Sequence, residues 1–410
     1  MNFLEKNNIP AGYKDSAVGV VPKDWKVYDF RDIASISKEK YTPSDSSCMP
    51  CMPCVELEHI SQGDGVLLGS TEARLQKSTK NVFKKGCVLF GKLRPYLRKY
   101  LHVDFDGVCS SEIWVLSANE NICSNEYLYR LVSSDKYIQC ANVSIGSKMP
   151  RADWNFVSIT PFPVPPMEEQ RKIAEILGVW DEAIEKQSRL IEKLELRKRA
   201  LMQRLLTGRT RLPGFTTPWQ KVKLGEISEE FVLRNTDDNN YIVLSCTKYN
   251  GLVSSLDYFG KQIFSDNLRT YKVVPKYHFA YATNHIEEGS IGYQGSYDYA
   301  LISPMYTVFK ADDTKVDNYF LYTLLKTPLM IYNYQSRIEG SIDRRGGLRW
   351  DAFAGIIIKL PSLPEQKAIA EVLTTADDEI ATHRKKLDAL RLQKRGLMQQ
   401  LLTGKTRVKI

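Results

Sequence analysis

Glu169 to Arg211 reads EQRKIAEILGVWDEAIEKQSRLIEKLELRKRALMQRLLTGRTR, and Glu365 to Arg407 reads EQKAIAEVLTTADDEIATHRKKLDALRLQKRGLMQQLLTGKTR. The two stretches align without a gap at an offset of 196 and are identical at 21 of 43 positions. Chance does not produce that match, so the chain carries an internal repeat. Each copy has the marks of a long helix. Prolines precede it (Pro161 to Pro166; Pro361 to Pro364), acidic residues open it (Glu168-Glu169; Glu365), and Gly208 or Gly404 closes it. A span of ~38 residues gives a rod of roughly 55–60 Å.

The apolar positions step alternately by four and three. In the first copy the seam is Ile173, Leu177, Trp180, Ile184, Gln187, Ile191, Leu194, Lys198, Leu201 and Leu205; in the second it is Ile369, Leu373, Ala376, Ile380, His383, Leu387, Leu390, Lys394, Leu397 and Leu401. This is a coiled-coil spacing, and the polar exceptions fall at matching places. A whole domain separates the copies, so they can pair antiparallel with approximate two-fold symmetry. At Gln187 and His383 the favoured reading is a drifting seam with both side chains half exposed; the other is a pair of polar residues that fix register.

Working outward, Trp154 and Trp350 keep the same offset, and Val21-Pro22-Lys23-Asp24-Trp25 with Ile33 echoes Thr217-Pro218-Trp219 with Ile227. The expected architecture is therefore mixed α/β (α+β): a variable domain at 1–166, a long helix at 167–209, a second variable domain at 210–362 and a second helix at 363–410. Within the domains, Leu101 to Leu116 alternates around Asp106-Gly107 and predicts a hairpin. Tyr299 to Phe309 predicts a strand, and Tyr127 to Val132 and Tyr319 to Leu325 predict short helices.

The 410 residues carry a net charge of +9 with 26% charged and 43% hydrophobic residues, enough for real cores. The two helical copies contribute only +1 each, which leaves +7 in the domains and tails. A polyanion would be met there rather than along the rods. No stretch suits a membrane helix, the polar start is not a secretory signal, and the expected location is the cytoplasm with its eight cysteines reduced.

Catalytic signatures are missing from the sequence. Gly404-Lys405-Thr406 mimics the end of a phosphate-binding loop, but Gln399 stands where the leading glycine belongs, and the other copy has Arg209 in place of the lysine. There is no dinucleotide loop, no nucleophile elbow, and no Asn-Pro-Pro-aromatic or Asp-Pro-Pro-aromatic tetrapeptide. Cys48, Cys51 and Cys54 lie in a tandem Cys-Met-Pro run with no second pair, and read as a slipped repeat before a strand rather than a metal site. Basic runs are more informative. The first domain has Lys92, Arg94, Tyr96, Arg98 and Lys99 in one run and Ser147, Lys148 and Arg151 in another. The second has Arg269 and Lys272, then Asn284-His285, then Arg344, Arg345 and Arg349. Arg reads guanine and Asn reads adenine through paired hydrogen bonds, and Lys and Arg neutralise phosphates. One such constellation per half points towards double-stranded DNA.

The sequence resembles the specificity subunits of type I restriction-modification systems. The resemblance rests on Gly12-Tyr13-Lys14-Asp15-Ser16 with Val21-Pro22 and Trp25, on Arg211-Leu212-Pro213-Gly214-Phe215 before Trp219, and on Val55-Glu56-Leu57-Glu58-His59-Ile60. It also rests on the passage from prolines into Glu-Gln and Ile-Ala-Glu, and on Leu-Leu-Thr-Gly at both helix ends. It implies two target recognition domains, each reading half of a split DNA site, and paired helices that set the spacer. It further implies docking of two methylation subunits and two restriction subunits. S-adenosylmethionine, ATP and magnesium would belong to those partners, and this chain would have no catalytic role. The alternative is a coiled-coil adaptor or scaffold without sequence-specific DNA binding.

Overall fold

A computed structural model describes residues 9–43, 52–143, 149–339 and 347–410. The chain divides into two compact units, one formed by 1–189 with 385–410 and the other by 190–384. Each unit thus contains one sheet domain, part of one long helix and part of the other.

In the first unit, a four-stranded antiparallel sheet has the spatial order Tyr100–His102, Val88–Gly91, Ile113–Ala118, Ala34–Ile36. A second sheet has the order Lys40–Tyr41, Lys80–Phe83, Gly107–Cys109, Pro53–Val55, Thr71–Glu72, with one parallel pairing between Gly107–Cys109 and Pro53–Val55. The expected hairpin at Asp106-Gly107 is not formed. Tyr100–His102 pairs with Val88–Gly91, whereas Gly107–Cys109 joins the other sheet. Asp106 instead accepts a 2.8 Å hydrogen bond from the Lys85 backbone, tying the turn to its neighbour as the chain changes sheets. Helices Asn125–Ser133 and Asp135–Ala141 follow, each capped by a serine, Ser124 and Ser134, that accepts from the third residue on.

In the second unit a sheet of the same kind recurs. Its order is Ser228–Glu230, Tyr306–Ala311, His278–Ala282, Ile291–Tyr293, again antiparallel. The expected single strand from Tyr299 to Phe309 is two strands. Tyr299–Ile302 pairs with Lys272–Pro275, and Tyr306–Ala311 enters the four-stranded sheet. A turn over Ser303, where Tyr306 N donates to Ser303 O at 3.1 Å, separates them. Asp317 caps the helix Asn318–Leu325 as Ser124 does in the first unit.

The long helices are Met167–Leu205 and Leu363–Leu401, 39 residues each. In both, a glycine in the left-handed conformation ends the helix, Gly208 at φ 68° and Gly404 at φ 71°. At Gly404 a side chain is also excluded by space, since a Cβ would lie 2.5 Å from Pro22.

Ile173 and Leu177 from one helix and Met398, Leu401 and Leu402 from the other share a core with Trp25, Phe90, Tyr127, Tyr137 and Phe162. In the second unit Leu205, Leu206, Ile369 and Leu373 share a core with Phe279, Tyr281, Phe309, Phe320 and Phe353. Of the other apolar seam residues, Ile184, Ile191, Leu194, Ile380 and Leu387 are buried, while Trp180 and Leu390 are half-buried. Gln187, read as half exposed, is 7% exposed, so the seam does not drift away from it; His383 is half-buried. Among the described residues no helix is long and apolar enough to cross a membrane.

Candidate nucleic-acid interface and its duplicated anchor

The most conspicuous polar constructions lie where sheet domain and helices meet, and each occurs once per unit. In the first unit Glu169, fully buried, accepts from Arg407 through both oxygens, Nε to Oε1 at 2.7 Å and Nη2 to Oε2 at 2.8 Å. Arg407 also reaches both carboxylate oxygens of Asp24, at 3.0 and 2.8 Å, and Trp25 Nε1 donates to Glu169 at 2.9 Å. The guanidinium of Arg407 holds the Asp24 carboxyl below the usual carboxylate range. In the second unit, Glu365 is fully buried and accepts from Arg211 Nε at 2.5 Å and Nη2 at 2.6 Å, while Arg211 also donates to Thr217 O at 2.9 Å. A bidentate fork matches a carboxylate in geometry as well as charge, and so fixes an angle as well as a distance.

The glutamine beside each glutamate completes the anchor. Gln170 donates to the Ile122 and Pro165 carbonyls (2.8 and 3.0 Å) and accepts from Ser124 N (3.0 Å). Gln366 donates to the Lys315 and Pro361 carbonyls (3.1 and 2.9 Å) and accepts from Asp317 N (2.9 Å). Repeating Glu-Gln in sequence therefore repeats a joint between helix start and domain.

About three turns further along, Lys394 pairs with Asp181, which also pairs with Arg130 of the first domain. Lys198 pairs with Asp377, which also accepts from the Tyr319 hydroxyl of the second domain. These lysines are two of the four polar exceptions of the heptad pattern, beside Gln187 and His383. Their partners lie outside the seam as read from sequence, so periodicity does not reveal them. Within each unit the paired residue numbers run in opposite directions: Glu169 with Arg407 and Asp181 with Lys394, then Glu365 with Arg211 and Asp377 with Lys198. The helix segments inside each unit are therefore antiparallel.

The basic residues singled out from sequence have diverse settings. Arg98 pairs with Asp135 at 2.5 Å, and Lys99 donates to the carbonyls of Leu57 and Ile60 at 2.5 and 3.0 Å. Both thus hold the first domain together. Lys92 is half-buried, and Arg94 and Tyr96 are exposed. Arg151, half exposed, donates to Glu112 at 3.0 Å. The structure brings the two runs of this domain together: Leu93 forms a β-bridge with Arg151, and Ala152 N donates to Lys92 O at 2.8 Å. In the second domain Lys272 donates to Tyr306 O at 2.6 Å, and burial lowers its ammonium pKa. Arg269 is exposed and 3.3 Å from Asp238. Asn284, His285 and Arg349 are exposed, and Leu348 N donates to Thr283 O at 2.9 Å, so Arg349 is carried beside the Asn284-His285 turn. A side chain at Gly347 would strike Thr283 O at 2.1 Å and Asn284 Oδ1 at 2.5 Å, which explains a glycine there. Ser147, Lys148, Arg344 and Arg345 lie outside the described residues, as do Cys48 and Cys51. Cys54 is buried, and burial with the Glu56 charge pushes its thiol up to about 11. Among the described residues, the grouping of potential metal donors is the surface set His285, Glu287 and Glu288.

Comparison with known proteins matches this duplicated plan. The family model for the type I restriction modification DNA specificity domain matches twice, over residues 22–196 and 217–392. A Methanocaldococcus jannaschii protein assigned as the type I restriction enzyme MjaX specificity subunit is 25% identical over 100% of this chain and 99% of its own length. The type I restriction enzyme MjaVIII specificity subunit of the same organism is 26% identical over 74% of this chain and 75% of its own. A chain from a structure concerning complex assembly and conformational transition of the type I restriction-modification system shares the fold. It has a TM-score of 0.60 and 20% identity, and the match covers 94% of this chain and 99% of that one. With two copies of the family domain accounting for most of its length, the chain belongs to the type I restriction-modification DNA specificity family.

Proposed function

We propose that this chain is the address-reading subunit of a type I restriction-modification complex, with each sheet domain reading one half of a bipartite site on double-stranded DNA. The observation that carries the reading is the duplication itself. A domain, a buried Glu-Gln joint and an Arg clamp recur at an offset of 196 residues. Two readers built on one plan suit two half-sites separated by base pairs that neither touches.

The long helices set the spacer in this reading, since a 39-residue helix extends about 58 Å. They also offer docking surfaces to two methylation subunits, and two restriction subunits join the assembly. S-adenosylmethionine, ATP and magnesium reside on those partners, and the chain itself is non-catalytic.

The test is to assemble the chain with its methylation subunits and map methylated adenines across a genome. A split motif is the expected result; methylation or binding without sequence preference would favour an adaptor role instead. Inserting one helical turn into both long helices, about 5 Å each, should lengthen the spacer of the motif while leaving both half-sites unchanged. An unchanged spacer would remove the ruler role.

A further inference from the structure

The strand registers place two turns at equivalent positions in the two domains. The strands Ile113–Ala118 and Tyr306–Ala311 are both six residues long, and their last residues lie opposite Ala34 and Ser228. Their first residues lie opposite Gly91 and Ala282, the final residues of Val88–Gly91 and His278–Ala282. Counting on from there, Lys92-Leu93-Arg94 is matched by Thr283-Asn284-His285. The same backbone bond pins both turns, Ala152 N to Lys92 O and Leu348 N to Thr283 O.

Both turns present donors to solvent from a fixed backbone. Arg94 is exposed, and its backbone is left-handed at φ 52°, ψ 63°, a conformation that L side chains rarely adopt. It is held there by a 2.8 Å bond from Arg94 N to Pro150 O and by Leu97 N donating to Arg94 O at 2.9 Å. Among the described residues its guanidinium has no ion-pair partner, whereas Arg98, four residues on and also left-handed, is committed to Asp135. Backbone strain kept under an exposed, uncommitted side chain is the pattern of a ligand contact. Asn284 is exposed in the matching turn, its Oδ1 accepting from the Thr283 hydroxyl at 3.4 Å and lying so near Gly347 that no side chain fits there.

We infer that these two turns are the base readers, Arg94 reading a guanine in one half-site and Asn284 an adenine in the other. The chemistry is the paired hydrogen bonding of guanidinium to guanine O6 and N7 and of carboxamide to adenine N6 and N7. This inference rests on the DNA-reading function proposed above.

The experiment presents the full chain, assembled with its methylation subunits, to a randomised duplex library and reads the selected sequences. Arg94→Ala should lose preference at one guanine position of one half-site by on the order of 10–100-fold and leave the other half-site intact. Arg94→Lys should lose the same preference while keeping the salt dependence, since a lysine still neutralises a phosphate but lacks the planar fork. Asn284→Ala should affect an adenine in the other half-site alone. Arg94→Gly removes the backbone strain, so it should lose the preference while raising the unfolding midpoint by a few degrees. A wild-type complex that selects a split motif, with variants that select the same motif unchanged, overturns the inference and leaves the proposed function standing. Loss in both half-sites from one variant also overturns it, as a general contact would do that. A wild-type complex with no selected motif removes both.

Discussion

The two anchors share a plan but not a state of completion. In the first unit Glu169 receives a bidentate arginine and the Trp25 indole, and the arginine has Asp24 as a second carboxylate. In the second unit Glu365 receives the arginine, which turns to the Thr217 carbonyl. Trp219 stands where Trp25 does, with its ring 3.5 Å from the Cβ position of Gly208, yet its buried Nε1 has no hydrogen-bond partner among the described residues. Arg211 lies over the Trp219 ring at 5.8 Å instead. Duplication has preserved the residue types and the clamp, while the surroundings have diverged around them. A buried carboxylate with several donors tolerates the loss of one better than a carboxylate that depends on one.

That difference can be broken directly. Arg211→Ala leaves Glu365 buried without its described partner and should cost about 3 kcal/mol, as removal of one member of a buried pair does. Arg407→Ala leaves Glu169 with the Trp25 donor and should cost about 2 kcal/mol. Native-state hydrogen exchange resolved along the chain measures each loss in its own unit. Equal losses would show that the indole contributes nothing to the first anchor. The seam lysines give smaller losses, with the contrast in the opposite direction. Lys394 is 9% exposed against 26% for Asp181, whereas Lys198 and Asp377 are 21% and 41% exposed. Lys394→Met should therefore cost about 2 kcal/mol and Lys198→Met about 1 kcal/mol, since solvent screens the second pair more. A larger loss at Lys198 in the same exchange measurement would contradict this ordering.

Helices and tandem plan were legible in the sequence because a repeat and a period are properties of order alone. The anchors were legible only as marks. Glu169 and Glu365 read as acidic residues favoured by a helix start, since nothing local indicates an arginine 238 residues later or 154 residues earlier. Lys198 and Lys394 read as interruptions of the seam because Asp377 and Asp181 carry no such signal in the heptad. Asp106-Gly107 marked a change of direction that the structure makes just before it, in a bend at Asp104-Phe105, and it did not show the partner, as local chemistry does not fix which sheet receives the next strand. In the candidate DNA-contacting runs, composition does not separate Arg94, on the surface, from Arg98 or Lys99, which hold the domain together. Separation needs the carboxylate of Asp135 and the carbonyls of Leu57 and Ile60, brought near by tertiary folding.

The two tryptophans isolate a single N–H, and one of the two substitutions should cost almost nothing. Trp25→Phe deletes a donor to a buried charged oxygen and should cost about 1.5 kcal/mol beyond the loss of ring area. Trp219→Phe deletes a buried N–H that has no partner among the described residues, so the desolvation cost of that group disappears with it. Its net effect should lie near zero once the smaller ring is allowed for. If thermal unfolding and hydrogen exchange show equal losses for the two variants, Trp219 has a partner that substitutes for Glu365, and the two anchors are more alike than their hydrogen bonds indicate. A loss confined to Trp25→Phe places the difference between the two tryptophans on one hydrogen bond, because ring size and helix-end glycine are held in common, and leaves the Asp24 carboxylate against the Thr217 carbonyl as the remaining difference between the anchors.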